Sequence, residues 1–460
     1  MSRRHSAVRL PIAMALLAGL CASSQVSAEI PGVAGTSSGA GTAFTLTAMA
    51  DRITTPDGGS IYFWGFAADS GGRPQYPGPT LLVPTPGPVS ITVVNQLPAQ
   101  FDQRVSLAVG GLSGVVATCS GTASLCVQGP ITMEAATGGS VTYSFTASRP
   151  GTFLYNSASR PDLQVEMGLA GAMIVRPTTD PAHQAYDDAA PANQAGNPAG
   201  SQYEQEYLFF LSEMDSEIHD LVEQQGVQAV DDSGRLGYYF PNYWFINGRN
   251  APDTMAEADV PRLPTQPYAA LTRTHPGDRV LMRVVGGGHD MHPFHHHGQH
   301  ARIIAVDGFP LQTTSGTPFD LSHEVFTIQS LPGQTVDAIL RWTGKGLGWD
   351  IYGSKPHTCG PSVDAEGLDL VTHEFCGDHL KPLPVVLPEA LALTNGPFYS
   401  GSPFLGQVGL MPPGDGGMNP NAGYTYMWHS HNEKEITNYD IFPGGMMTML
   451  VVEPPGTPIP

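Results

Sequence analysis

The sequence predicts an all-β protein built from two antiparallel sandwiches, and three observations point that way. Short β-branched or aromatic runs recur along the chain, Pro-Gly and Gly-Gly turns bound them, and the two halves carry the same landmarks in the same order. The clearest runs are Ser90–Val94, Val141–Phe145 and Val280–Val285. The 54 Gly and 42 Pro make up about a fifth of the 460 residues, short of the roughly 25–30% of an aperiodic disordered chain. The chain is therefore folded and rich in turns, and an apolar share of 41% supports two sizeable cores. Charged residues are only 13% and the formal charge is −20 with no basic run. That balance repels phosphate and excludes nucleic acid as a partner.

The only long apolar stretch lies at the start. Arg3, Arg4 and Arg9 flank the run Leu10–Leu20, and Val26-Ser27-Ala28 is a small-residue cleavage signal before Glu29. Residues 1–28 thus read as a secretory signal peptide. The run is shorter than the roughly 20 residues a span needs, so no membrane span is expected and the mature protein is placed in the periplasm or outside the cell. Ser2-Arg3-Arg4 hints at twin-arginine export, but the residues that should follow the pair are missing. Residues 29–177 form a first domain. Residues 178–204, rich in Pro, Ala, Asp, Asn and Gly and without periodicity, read as a linker. Residues 205–456 form a second domain interrupted by a loop insertion at about 354–417.

Cys21 leaves with the leader, and the remaining Cys119, Cys126, Cys359 and Cys376 allow three pairings. Exported chains keep disulfides, and each sequence-local pair sits inside one Gly-containing loop. The expected bridges are therefore Cys119–Cys126 and Cys359–Cys376. None of the four lies beside the histidine clusters, so a thiolate metal ligand is not expected.

The chemistry lies in the histidines. Six of the 16 fall between His289 and His300, and two more form His429-Ser430-His431. Side chains at i and i+2 of a strand share a face, so His295 with His297, and His429 with His431, each make a two-imidazole platform. If the two strands are neighbours, four imidazoles converge, a donor set suited to copper or zinc. One His-x-His alone reads as a surface or packing accident; two at equivalent places in a repeat read as a metal site. His296 points the other way and is assigned to packing or hydrogen bonding, and His289 and His300 to the surface. Met446, Met447 and Met449 sit on an apolar terminal run and are assigned to the core. Glu433 and Glu435 are assigned to a solvated loop or a hydrogen bond to an imidazole rather than to a ligand set.

Pro86-Gly87, Val93-Val94 and Ser106–Gly111 in the first half match Pro276-Gly277, Val284-Val285 and Pro293–Gly298 in the second, and Tyr155–Ala158 matches Trp428–His431. Duplicated sandwiches explain that repeat, and the histidine motifs His292–Gly298 and Met427–Met449 make the chain resemble the multicopper oxidases. His292–Gly298, continued by Ala301–Gly308, resembles that family's third copper motif and Met427–Met449 its fourth, with further similarity at Pro77–Leu81 and Gly168–Pro177. The resemblance implies two cupredoxin-like (plastocyanin-like) Greek-key β-sandwich domains. It also implies a cluster held by eight histidines from four His-x-His motifs, of which this sequence supplies four. Ala108 and Gly110 stand at the ligand places of the first motif, and Asn156 and Ala158 at those of the second. At the mononuclear site His292 matches one histidine, Ser430 stands at the cysteine, Glu435 at the second histidine, and Met446 matches the axial methionine only with an insertion.

The expected function is that of an exported, copper-binding, multicopper-oxidase-like protein. Its ligands would be His295, His297, His429 and His431, with His292 as a fifth candidate; copper is the expected ion and zinc an alternative. An oxidoreductase using this reduced site, with a small-molecule or metal-ion substrate, is the first reading. A non-catalytic copper carrier or assembly protein is the alternative. A homo-oligomer or partner chain supplying the missing ligands is a third possibility. No catalytic residue is assigned, and ordinary laccase activity is not expected.

Overall fold

The computed structural model describes residues 30–39, 41–68, 72–187, 200–314, 319–352, 359–382, 389–391, 401–402 and 423–459. The expected signal peptide and much of the expected insertion lie outside the described residues. The fold is mainly β, as the runs predict. Ser90–Val94 falls in the strand Gly87–Asn95, Val141–Phe145 in Ser140–Ala147, and Val280–Val285 in Arg279–Gly286.

Alternation decides which faces are buried. Val141, Tyr143, Phe145 and Ala147 point inward and pair in register with Val93, Ile91, Val89 and Gly87, while Thr142 and Ser144 point outward. The first half closes as two main sheets, with Cys126–Gln128 and Met133–Ala135 pairing apart as a small third. One runs Val33–Ala34, Gly78–Val83, Ala170–Val175, Gly151–Asn156, Ala108–Val109; the other is centred on Gly41–Thr54, Gly87–Asn95 and Ser140–Ala147. The second half repeats the plan. Tyr243–Ile246, Gln205–Met214, Arg279–Gly286, Thr335–Arg341 and Ala301–Val306 follow one another in one sheet, and Thr272–Thr274, Met447–Val452, Tyr424–Ser430, His292–His296 and Thr327–Ser330 in the other.

The sheets are mixed rather than antiparallel throughout. Gly41–Thr54 runs parallel to Gly87–Asn95, and Gln205–Met214 parallel to Arg279–Gly286. Neighbours joined by a connection that leaves the sheet and returns, rather than by a hairpin, end up parallel.

Two helices, Ser216–Gln225 and Val227–Ser233, were not anticipated. Asp215 caps the first by accepting the Glu217 N–H, and Ile218, Val222, Val227 and Val230 bury against the first core. The stretch read as a linker is partly packed: Tyr186 is buried and its hydroxyl donates to Asp337 at 2.5 Å. Arg283, fully buried within an apolar strand, bonds Glu206 at 2.6 Å and the Thr152 hydroxyl at 2.9 Å. It thereby ties the first half to the second. Both expected disulfides are present, Cys119–Cys126 and Cys359–Cys376. No helix among the described residues is long and apolar enough to cross a membrane.

Candidate metal centre

The strand His292–His296 lies between Thr327–Ser330 and Tyr424–Ser430, with His295 directly opposite His429. Opposed residues share a face. On the other face Phe294 and Trp428 enter the apolar core, which fixes the register and turns His295 and His429 away from it. His297 follows two residues on, and the indole of Trp428 donates to its carbonyl at 3.1 Å. The chain then turns at Gly298, where φ is +103° and a Cβ would meet the Tyr426 ring at 3.0 Å. Only glycine suits that place.

One ligand atom each from His295, His297 and His429 falls within a group spanning no more than 4.8 Å; His295 and His297 are buried and His429 is half-buried. The Nε2 atoms of His297 and His429 are 3.2 Å apart. The His431 ring lies 4.9 Å from that of His295 and 5.8 Å from that of His429, on the solvent side with 52% of its side chain exposed. The two platforms read from sequence therefore meet.

Their tautomers are set from outside. His429 Nδ1 is 2.7 Å from the Ser430 carbonyl, which can only accept, so Nδ1 carries the proton and Nε2 keeps its lone pair toward His297. His295 Nδ1 bonds the Thr327 hydroxyl at 2.9 Å. Burial, reinforced by His429 and His431, pushes His295 down to about 4, and burial with the neighbouring imidazoles pushes His297 down to about 3. His429 is lowered too, mainly by burial. These rings are neutral at pH 7. A buried, neutral, all-imidazole donor set with two Nε2 atoms facing each other fits a copper or zinc ion.

The lowered values set a pH dependence. Protons compete with an ion only as the folded rings titrate, so copper affinity should hold to about pH 5 and fall below about 4, whereas unperturbed imidazoles would lose it from about 6.5. In the metal-free protein the unfolded chain takes up protons first, so stability should decline as pH falls from about 6.5 toward 4. Copper titrations and thermal melts across that range check both. Loss of affinity already at pH 6 would contradict the burial seen here.

His292, the fifth candidate, is not brought into this cluster. It is fully buried, with Nε2 2.8 Å from Glu213 Oε2 and Nδ1 3.0 Å from Glu435 Oε2, so both ring nitrogens are taken. Burial alone would lower it, but the two carboxylate hydrogen bonds outweigh burial and push it up to about 10. It is an imidazolium. Ser430 donates to Glu435 Oε2 at 2.5 Å and Asn432 donates to Oε1 at 2.9 Å. On the far side the Tyr239 hydroxyl bridges Glu213 Oε1 at 3.1 Å and Glu166 Oε2 at 2.7 Å. A buried chain of hydrogen bonds thus fills the places where the resemblance puts a mononuclear copper. Met446 packs in the apolar core. Without a thiolate, copper-loaded protein should lack the intense thiolate-to-copper absorption of a blue centre; its appearance in the visible spectrum would contradict this arrangement.

Glu435 is buried rather than solvated, and its hydrogen bond to an imidazole is the second role read for it. His296 is buried, its Nε2 3.0 Å from both the Val325 carbonyl and the Ala301 N–H. His289 and His300 are half-buried rather than surface residues, set against Tyr239 and Phe326. Each lies beside an aromatic ring from a distant part of the chain, which local pattern does not reveal. Glu213, Tyr239 and Thr327 were missed because nothing in their local sequence marks them.

The first half repeats the geometry without the chemistry. Asn156 pairs directly with Ala108, the counterpart of His429 opposite His295. Asn156 donates through its amide to the Ser157 carbonyl at 2.9 Å. Among the described residues no metal-competent group forms in this half.

Residues 72–180 match the family model described as multicopper oxidase, a segment that includes Ala108, Gly110, Asn156 and Ala158. Among solved structures, the chain is similar to a multicopper oxidase, mgLAC, at 18% identity and a TM-score of 0.50, over 91% of this chain and 87% of that one. It is also similar to the blue copper oxidase from Nitrosomonas europaea at 19% identity and a TM-score of 0.50, over 90% of this chain and 85% of that one. At these identities the likeness carries the fold, a cupredoxin-like sandwich architecture, and nothing finer. No curated protein matches the chain.

Proposed function

We propose that this chain, which matches the multicopper oxidase family model over residues 72–180, is an exported protein that binds copper in its second sandwich domain. The observation that supports this most is the convergence of His295, His297 and His429 within 4.8 Å, with the His431 ring at the open edge. His295, His297 and His429 would hold the ion and His431 would close the site toward solvent. Bound copper supplies one-electron redox chemistry; zinc in the same imidazoles would supply none. The chain's own residues set the donor tautomers through Ser430 and Thr327, exclude water with Phe294 and Trp428 behind the strands, and keep the rings neutral. Export to the periplasm or the exterior accords with two disulfides.

Two readings follow from that site. As an oxidoreductase, the protein would act on a small molecule or metal ion at the exposed His431 side. As a carrier or assembly protein, it would hold copper without turnover. The second is favoured by the Glu213–His292–Glu435–Ser430 network, which leaves no thiolate route for electrons to the cluster. Elemental analysis of protein purified from its native compartment should give about one copper per chain, since four imidazoles fill roughly one coordination shell. Four tightly held ions would overturn the reading, unless a homo-oligomer or partner chain proves to complete the site. Oxygen uptake with a phenolic or metal-ion donor separates the two readings. Turnover lost in His295→Ala/His429→Ala supports the enzyme, and no turnover in copper-loaded wild type supports the carrier.

A further inference from the structure

A second group of metal-competent side chains lies far along the chain from the histidine cluster. In the segment 359–382, Cys359 Sγ is 3.5 Å from His379 Nδ1, and His379 Nε2 is 3.6 Å from Glu374 Oε2. Glu374 is buried and the Tyr352 hydroxyl lies 3.3 Å from the same carboxylate oxygen. Cys359 is closed to Cys376 as a disulfide, both residues half-exposed. Among the described residues, no such group forms around the other disulfide. The polar atoms near the Cys119 and Cys126 sulfurs are the backbone carbonyls of Gly121, Thr122 and Ser140.

We propose that Cys359, Cys376 and His379 form a redox-gated site for one thiophilic d10 ion, copper(I) or zinc(II), which opens when their disulfide is reduced. A dithiol reductant gives up two electrons and two protons. The S–S bond breaks, two S–H groups form, and the reductant becomes a disulfide. Binding the ion then releases the two thiol protons. The movement needed is small. Two sulfurs on a tetrahedral ion stand roughly 3.7 Å apart, given metal–sulfur bonds of about 2.3 Å, and the Cα atoms already lie 6.1 Å apart. Glu374 faces Nε2, which is itself 3.8 Å from Cys359 Sγ; with Nδ1 as the ligand, that carboxylate would orient the imidazole through its second nitrogen. Asp369, also near both sulfurs, accepts the N–H groups of Val371 and Thr372 and so shapes the loop. Thiolates select soft ions that the all-imidazole cluster does not discriminate.

The test compares oxidised protein with protein reduced by a phosphine and freed of reductant without air. Zinc(II) and copper(I) are titrated separately against chromophoric chelators, and cobalt(II) reports thiolate ligation through its charge-transfer band. Reduced wild type should gain one equivalent of at least one d10 ion and show the cobalt–thiolate band. Which ion is gained distinguishes zinc from copper(I). The gain should persist in Cys119→Ser/Cys126→Ser, vanish in Cys359→Ser, and weaken at least about 10-fold in His379→Ala and in Glu374→Gln; the last two keep the disulfide in the oxidised form. No gain of either ion would overturn the proposal. So would a gain that survives Cys359→Ser, or one that disappears only in Cys119→Ser/Cys126→Ser. Loss of the β-sheet circular dichroism signal on reduction would also overturn it, because no folded site would then exist to fill.

Discussion

Replacing His292 with alanine should destabilise the second sandwich domain by about 3–5 kcal/mol, the cost of leaving buried carboxylates without their cation. Glu213 and Glu435 face the ring from opposite sides at 2.8 and 3.0 Å, and all three side chains are buried. Burial would raise the Glu213 carboxyl, but the His292 hydrogen bond and charge outweigh it and hold Glu213 below its ordinary value. The sign of the pH dependence follows from the raised imidazole. A histidine held up at about 10 contributes stability fully present below its unfolded value of about 6.5, and loses it as pH rises through about 10. Chemical denaturation should show wild type weakening between about pH 7 and 10, while His292→Ala stays flat there because its loss is already complete. Replacing His292, Glu213 and Glu435 together with apolar residues of similar volume should recover much of the loss, since no buried charge remains. A His292→Ala variant as stable as wild type at pH 7 would show that this ring carries no charge.

The places where the resemblance puts a mononuclear copper are thus occupied by a buried imidazolium held between two carboxylates. Ser430 lies between two proposed ligands, His429 and His431, and its hydroxyl donates to Glu435. Between the two halves, backbone geometry and donor chemistry have separated. The sandwich keeps its register, including the cross-strand pair Ala108–Asn156 that mirrors His295–His429. The donor atoms at the first pair are gone or weakened.

Strands were legible because alternation is local. Val141, Tyr143 and Phe145 identify a buried face within five residues, and the repeat of Pro-Gly, Val-Val and His-x-His landmarks places the halves in correspondence. The helix Ser216–Gln225 was missed although its signals were present: Asp215 as cap and Ile218 with Val222 at helical spacing. The Gly- and Pro-rich background drew attention to turns and strands instead. At the site, His295, His297, His429 and His431 were legible because period two puts each pair on one face. Their meeting depended on two strands about 130 residues apart becoming neighbours, which the pairing of His295 with His429 accomplishes. The role of His292 was not legible. Its partners Glu213 and Glu435 come from a different sheet and from the short turn Glu433–Ile436, and sequence spacing says nothing about what fills a buried pocket between them.

The convergence of both histidine pairs on one ion is tested most directly by copper titration of His295→Ala/His297→Ala and His429→Ala/His431→Ala against a competing chelator at pH 7. Each variant removes two of the four rings while leaving the Glu213–His292–Glu435 network in place. Because the His297 and His429 nitrogens stand 3.2 Å apart, neither pair closes a coordination shell alone. Either variant should lose at least about 100-fold in affinity, beyond the roughly 10–100-fold typical of removing a residue that merely orients a ligand. Stoichiometry should drop to no tight site in both. If each double variant instead keeps half the wild-type copper at unchanged affinity, the two motifs are independent surface sites and there is no shared centre.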